Sequence, residues 1–122
     1  MAGEDLKSRT KKFALSIIRL YASLPERKME VQIIGKQVVR SGTSVGAHYR
    51  ESCRARSNAE FISKMQVGLQ ELEETLYWLE LLSELRVSDA NSLTALCKEA
   101  TELLAIFVTS IKTAKSRSDL AN

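Results

Sequence analysis

Apolar residues recur at spacings of three and four along nearly the whole chain, and no segment alternates with the period of two that marks a strand. From about residue 5 to residue 24, Phe13, Ile17, Leu20 and Leu24 form one stripe, widened by Ala14, Ile18 and Tyr21. Pro25 begins the break "PERK", and a second helix is expected over 29–55. The third, over 58–85, opens at Ser57 and Glu60, which have capping-box spacing. It continues through Phe61, Met65, Leu69, Leu72, Leu76 and Leu79, the seam of a bundle. The fourth, over 89–115, has Ser88 or Asp89 as its N-cap and an apolar face of Leu93, Leu96, Ala100, Leu103, Phe107 and Ile111. The polar tail 116–122 is expected to fray. Helices of this length joined by short links run antiparallel to their sequence neighbours. The expected fold is all-α, a single up-down-up-down four-helix bundle over 1–122.

The second helix carries Gly35, Gly42 and Gly46, each costing about 1 kcal/mol relative to alanine in a helix interior. At 100° per residue these three and Cys53 project within about 40° of one another, with Val31, Val38, Val45 and Tyr49 alongside. A strip of small residues on the apolar face lets a neighbouring helix approach closely. The same stretch contains "GTSVG" (42–46), which fits the G-x-S-x-G turn that presents a hydrolase nucleophile. That turn needs a strand before it and an acid and a histidine from later in the chain. Here "MEVQIIGKQVV" precedes it as helix, and the single histidine, His48, lies one turn from Ser44. No lysine follows Gly46, so the phosphate-loop pattern is absent too.

Other chemistry fails on residue supply. A di-iron bundle site needs two Glu-x-x-His pairs, and Glu71 and Glu74 have no histidine at i+3. Two cysteines 44 positions apart and one histidine cannot make a structural zinc site. Cys53 and Cys97 are expected as free, partly buried thiols, Cys97 as a small core residue beside Leu93, Leu96 and Ala100. No catalytic residue, metal or cofactor is therefore expected. The charged start "MAGEDLKSRTKK" is no signal peptide and the longest apolar run, "LLAIFV", is far too short to span a membrane. A soluble cytoplasmic protein without a membrane partner is the expectation.

Charge is divided unevenly. Residues 1–56 hold 12 Lys/Arg against 5 Asp/Glu, and residues 57–122 hold 6 against 10, so a chain of net +3 has a basic first half and an acidic second half. The halves can neutralise each other on packing, or leave a basic surface that attracts phosphates. Lys7, Arg9, Lys11, Lys12 and Arg19 on the first helix, with Arg50, Arg54 and Arg56 ending the second, are the candidate phosphate contacts. Few aromatics interleave with them, so recognition of RNA or DNA by charge and shape is expected rather than stacking readout. The outer face of the second helix holds Ile33, Gln37, Arg40, Ser44, Ala47 and Glu51, either solvated or a subunit interface in which Arg40 and Glu51 meet another chain. Of the Tyr77–Trp78 pair, at least one ring is expected in the core or an interface.

Residues 37–82 closely resemble the signature of the bacterial four-helix-bundle proteins related to the 23S rRNA intervening-sequence proteins. The matching elements are Arg40-Ser41, Ser44, Ala47, Tyr49-Arg50-Glu51, Ser57, Phe61-Ile62, Lys64, Glu71, Glu74 and Trp78-Leu79-Glu80. The chain departs from the pattern where His48 stands in place of the usual asparagine and Gln70-Glu71 in place of a frequent Lys-Glu. An imidazole there could make a polar contact depend on pH. The resemblance implies a bundle without known catalytic activity that assembles as an open homopentamer, with Arg40, Ser44, His48, Glu51, Lys64, Glu71, Glu74 and Trp78 as motif or interface residues. A related branch, the accessory proteins of diversity-generating retroelements, implies nucleic acid and a reverse transcriptase as partners. Two functions from different classes follow: an oligomeric nucleic-acid-binding protein, or a structural adaptor whose partner is a protein.

Overall fold

The computed structural model describes residues 2–121 of the chain, with side chains over 6–119. Four helices follow one another: α1 (Ala2–Ser23), α2 (Met29–Cys53), α3 (Asn58–Leu85) and α4 (Ala90–Ala121). Their ends have local causes. The Gln32 side chain ties the α1–α2 turn, donating to the Pro25 carbonyl at 3.0 Å and accepting from the Tyr21 hydroxyl at 2.9 Å. Ser57 caps α3 by accepting from the Glu60 amide at 3.1 Å, while the Glu60 carboxylate accepts from the Arg56 amide at 2.9 Å. α3 stops at Arg86, whose φ of 54° is left-handed. Asp89 then opens α4, its carboxylate accepting from the Ser92 amide at 3.0 Å.

Named contacts fix an antiparallel arrangement throughout. Gly46 of α2 lies against Thr10 of α1, Gly42 against Ile17, and Gly35 against Tyr21 and Leu24. Between α2 and α3 the buried hydroxyls of Ser41 and Thr75 meet at 2.8 Å, with Thr75 donating. Gly68 of α3 faces Phe107 of α4, and Asn58 donates to the Ala114 carbonyl at 2.6 Å. The bundle is up-down-up-down around a core that includes Phe13, Ile17, Val38, Val45, Met65, Leu72, Leu79, Leu103 and Phe107. The three glycines of α2 all abut α1, so this pair packs closely; α1 and α4 form the loosest of the four seams.

Two expectations need correction. The polar stretch after residue 115 does not leave the helix: α4 runs on to Ala121. No glycine or proline interrupts it, and Asn58 also hydrogen-bonds the Ser118 hydroxyl, tethering the last turns to the start of α3. Cys53 is exposed rather than part of the buried strip, because α2 ends there. Cys97 is half-buried at the edge of the core, where burial and then the nearby Glu80 push its thiol pKa up.

Candidate nucleic-acid interface

The cations of α1 do not form one stripe. Arg9 is half-buried and forks onto Glu99 of α4, with Nη2 at 2.6 Å and Nε at 3.1 Å from its two carboxylate oxygens, and a second carboxylate, Glu102, at 3.7 Å. Such bidentate geometry uses the planar guanidinium fully. Lys12 and Arg19 flank a groove between α1 and α4. Lys7 and Lys11 are exposed about 100° further around the helix.

A denser collection of positive charge lies at one end of the bundle. Arg50 and Arg54 close α2 and Arg56 precedes α3. Antiparallel packing brings the C-terminal turns of α4 to the same end, where Arg117 lines a hollow with Ser52, Cys53 and Asn58. Lys112 and Lys115 sit on those same turns. All six of these cations are exposed, and among the described residues none makes an ion pair. Lys7 is one turn toward this end from the Thr10–Gly46 contact. The three α4 cations were not among the candidates read from the sequence. The signal was there: an unbroken helical stretch through 115–119, which in an antiparallel bundle must finish beside the end of α2.

The outer face of α2 is paired with α3. Arg40 donates through Nη1 to Glu71 and through Nη2 to Glu74, both at 3.2 Å, and through Nε to Gln37 at 3.2 Å. Glu51 meets Lys64 at 3.0 Å; the hydrogen bond and charge of that lysine hold its carboxyl below the usual range. Arg40 and Glu51 thus each have a partner within the bundle. The Ser44 hydroxyl donates to the Arg40 carbonyl at 2.6 Å, an ordinary back-bond within a helix. With residues 42–46 in mid-α2, "GTSVG" is helix packing and not a nucleophile turn. His48 Nδ1 is 3.9 Å from Glu51, beyond hydrogen-bond reach, and is enclosed without a partner; so is Trp78 Nε1. Trp78 packs its ring on the core edge and meets Tyr77 edge-on at 5.1 Å, while Tyr77 is more than half exposed. Exposed Ile33 and Leu85 add apolar area to the same two helices.

Among the described residues no three His, Cys, Asp or Glu side chains are placed to hold a metal ion, and no helix is long and apolar enough to cross a membrane. The Tyr49 hydroxyl is pushed well above its ordinary pKa by burial and by the neighbouring Cys53.

The model of the 23S rRNA-intervening sequence protein family matches residues 5–109. The chain belongs to this family. A crystal structure of a Bacteroides thetaiotaomicron protein of unknown function from the S23 ribosomal protein family is similar, with 35% sequence identity and a TM-score of 0.81, over 88% of this chain and 98% of that one. No curated protein matches. The intervening-sequence match takes in the whole α2–α3 pairing, including Arg40, Glu51, Lys64, Glu71, Glu74 and Trp78. It ends before Lys112, so the three α4 cations lie beyond the segment that this chain shares with the family model.

Proposed function

We propose that this intervening-sequence-family protein is a non-enzymatic, self-assembling nucleic-acid-binding protein whose contact surface is the basic end of the bundle. The observation that carries the reading is the set of six exposed cations gathered there from the end of α2, the link to α3 and the last turns of α4, with no ion pair to any of them among the described residues. Among the described residues no large aromatic is exposed at that end, which supports charge and shape recognition of phosphates over base reading. In a ring of several copies the patch repeats, and multivalency raises the affinity without any new contact.

A mobility-shift titration against salt tests this. Six phosphate contacts give a slope of log K against log salt of about −4 to −5, and neutralising Lys112, Lys115 and Arg117 together should reduce its magnitude by about 2–3. Absence of RNA or DNA binding at about 50 mM salt would sink the proposal, as would binding that salt does not weaken.

A second reading, a protein-binding or purely structural module, is favoured by a different surface. Trp78 meets the half-exposed Tyr77, and exposed Ile33 and Leu85 lie on the same two helices, α2 and α3. A sister copy seated on α2–α3 would cover that apolar area, with five copies implied by the family resemblance. Sedimentation of the Trp78→Ala and Arg40→Ala variants tests it: an unchanged assembly would remove this face from the interface.

A further inference from the structure

Both α1 and α2 come from the basic half of the chain, and they pack side by side. Their shared outer face therefore collects charge that the acidic half does not reach. On α1, Thr10, Ile17 and Tyr21 turn toward α2. Next to them around the helix Lys7, Lys11, Leu15, Ile18 and Ala22 are exposed, at spacings of four, four, three and four. On α2, Gly35, Gly42 and Gly46 turn toward α1, with Lys36, Val39, Thr43 and Arg50 flanking them on the solvent side.

Lys7, Lys11, Lys36 and Arg50 are exposed and make no ion pair among the described residues. Neither helix sets a carboxylate among them. No acid occurs in α1 from Leu6 to Ser23. On α2, Glu51 is turned the other way, onto Lys64 of α3, and Glu30 projects within about 60° of Glu51. Glu26 stands in the α1–α2 turn beyond Lys36, with exposed Arg27 and Lys28 beside it.

This face runs into the basic end. Arg50 is one turn past Gly46 and one turn before Arg54, whereas Lys36 lies about 21 Å back from Arg50 along α2. The cations thus turn a corner, from the end that holds Arg54, Arg56 and Arg117 onto the side that holds Lys11 and Lys36. A nucleic-acid duplex does not follow such a corner, because DNA is stiff over about 150 base pairs. Lying on the end it leaves Lys36 untouched, and lying along the side it leaves Arg117 untouched. A single strand bends between successive nucleotides. It also brings unstacked bases, whose faces fit exposed Leu15 and Ile18 between the cations; a duplex keeps those faces stacked inside.

Resting on the nucleic-acid reading above, we propose that the ligand is single-stranded and runs from the basic end onto the α1–α2 face, its phosphates on Lys7, Lys11, Lys36 and Arg50. Contact is through the backbone and the flat faces of bases, so the strand is held with little preference for sequence.

A salt titration of the full chain by fluorescence anisotropy tests it, with a single strand of about 20 nucleotides and a duplex of about 20 base pairs as probes. Lys11→Gln/Lys36→Gln should lower the magnitude of the single-strand slope of log K against log salt by about 1.4, at about 0.7 for each lost phosphate contact, and leave the duplex slope unchanged. Leu15→Glu sets a carboxylate one turn from Lys11 and should weaken the single strand several-fold while sparing the duplex. All three positions are exposed, so the far-UV circular dichroism should be retained. If neither probe binds the native chain at about 50 mM salt, the reading of the basic end falls and the side track falls with it. If the probes bind but the single strand ignores both changes, or the duplex loses as much as the single strand, the side track alone is overturned and the basic end stands. Co-sedimentation with vesicles of about 30% phosphatidylserine that is lost in the double variant would give the face to a membrane surface and overturn the proposal as well.

Discussion

Gly42→Ala separates helix propensity from helix packing. In an exposed helix the change stabilises by about 1 kcal/mol, since alanine is the better helix former. Here the added Cβ would lie 2.9 Å from Ile17 Cγ1, 3.1 Å from Cγ2 and 3.4 Å from Cβ. These atoms sit next to the α1 backbone on a β-branched side chain that is 0% exposed, so no flexible end can swing away. Overpacking of this kind costs about 1–3 kcal/mol. Set against the propensity gain, the net expectation is a loss of about 1 kcal/mol, which for a domain of this size lowers the thermal midpoint by about 3–5 °C. Thermal and urea unfolding followed by circular dichroism measure it. The decisive arm is a double-mutant cycle with Ile17→Ala. That substitution alone costs about 2–5 kcal/mol, but in its background Gly42→Ala should become stabilising, toward the full propensity value. If Gly42→Ala stabilises the native chain, or if its effect is the same with and without Ile17, the account of the glycine strip is wrong.

Three further outcomes are expected. Ser57→Ala removes the acceptor for the Glu60 amide and should cost about 1 kcal/mol in urea unfolding, whereas Ser44→Ala, whose hydroxyl only back-bonds within α2, should be close to neutral. The Glu51 carboxyl is held below its ordinary 4.5 by Lys64, so its contribution to stability is present above that pH and is lost as pH falls through the lowered value; Glu51→Gln or Lys64→Gln should flatten that acid limb of the stability curve. Exposed Cys53 should react with a thiol reagent at neutral pH as a free thiol does, and Cys97, with its raised pKa and half-buried position, markedly more slowly; equal rates would contradict the burial argument.

Much of this architecture is legible because local rules agree with the tertiary outcome. The Ser57 cap and the leucine seam predict α3 over 58–85, and the helix occupies Asn58–Leu85. The angular clustering of Gly35, Gly42 and Gly46 predicts a closely apposed helix, and each glycine touches α1. What could not be read depends on register between helices. Nothing in the spacing of Arg40 says that it will reach Glu71 and Glu74, residues more than thirty positions away, and the outer face of α2 therefore looked unpaired. The looseness of the α1–α4 seam is likewise a property of four helices at once. Polar composition misled at 116–119, where helix continuation costs little on a surface and Asn58 adds a tether.

Register also resolves the uneven charge of the chain. Packing a basic half against an acidic half could have cancelled both, and in places it does: Arg9 meets Glu99, and Arg40 meets Glu71 and Glu74. Those acids lie along the middle of α3 and α4, whereas Lys112, Lys115 and Arg117 occupy the end of α4 that packs beside the end of α2. Most of the cancellation lies in the body of the bundle; at that end Glu51 is taken up by Lys64, and cations from both halves of the sequence gather there. A net charge of +3 spread evenly would attract a polyanion weakly. Concentrated on one end, the same charge would act on neighbouring phosphates together under the proposed reading. For the proposed phosphate contact, where the cations fall relative to the acids that face them therefore matters more than their number.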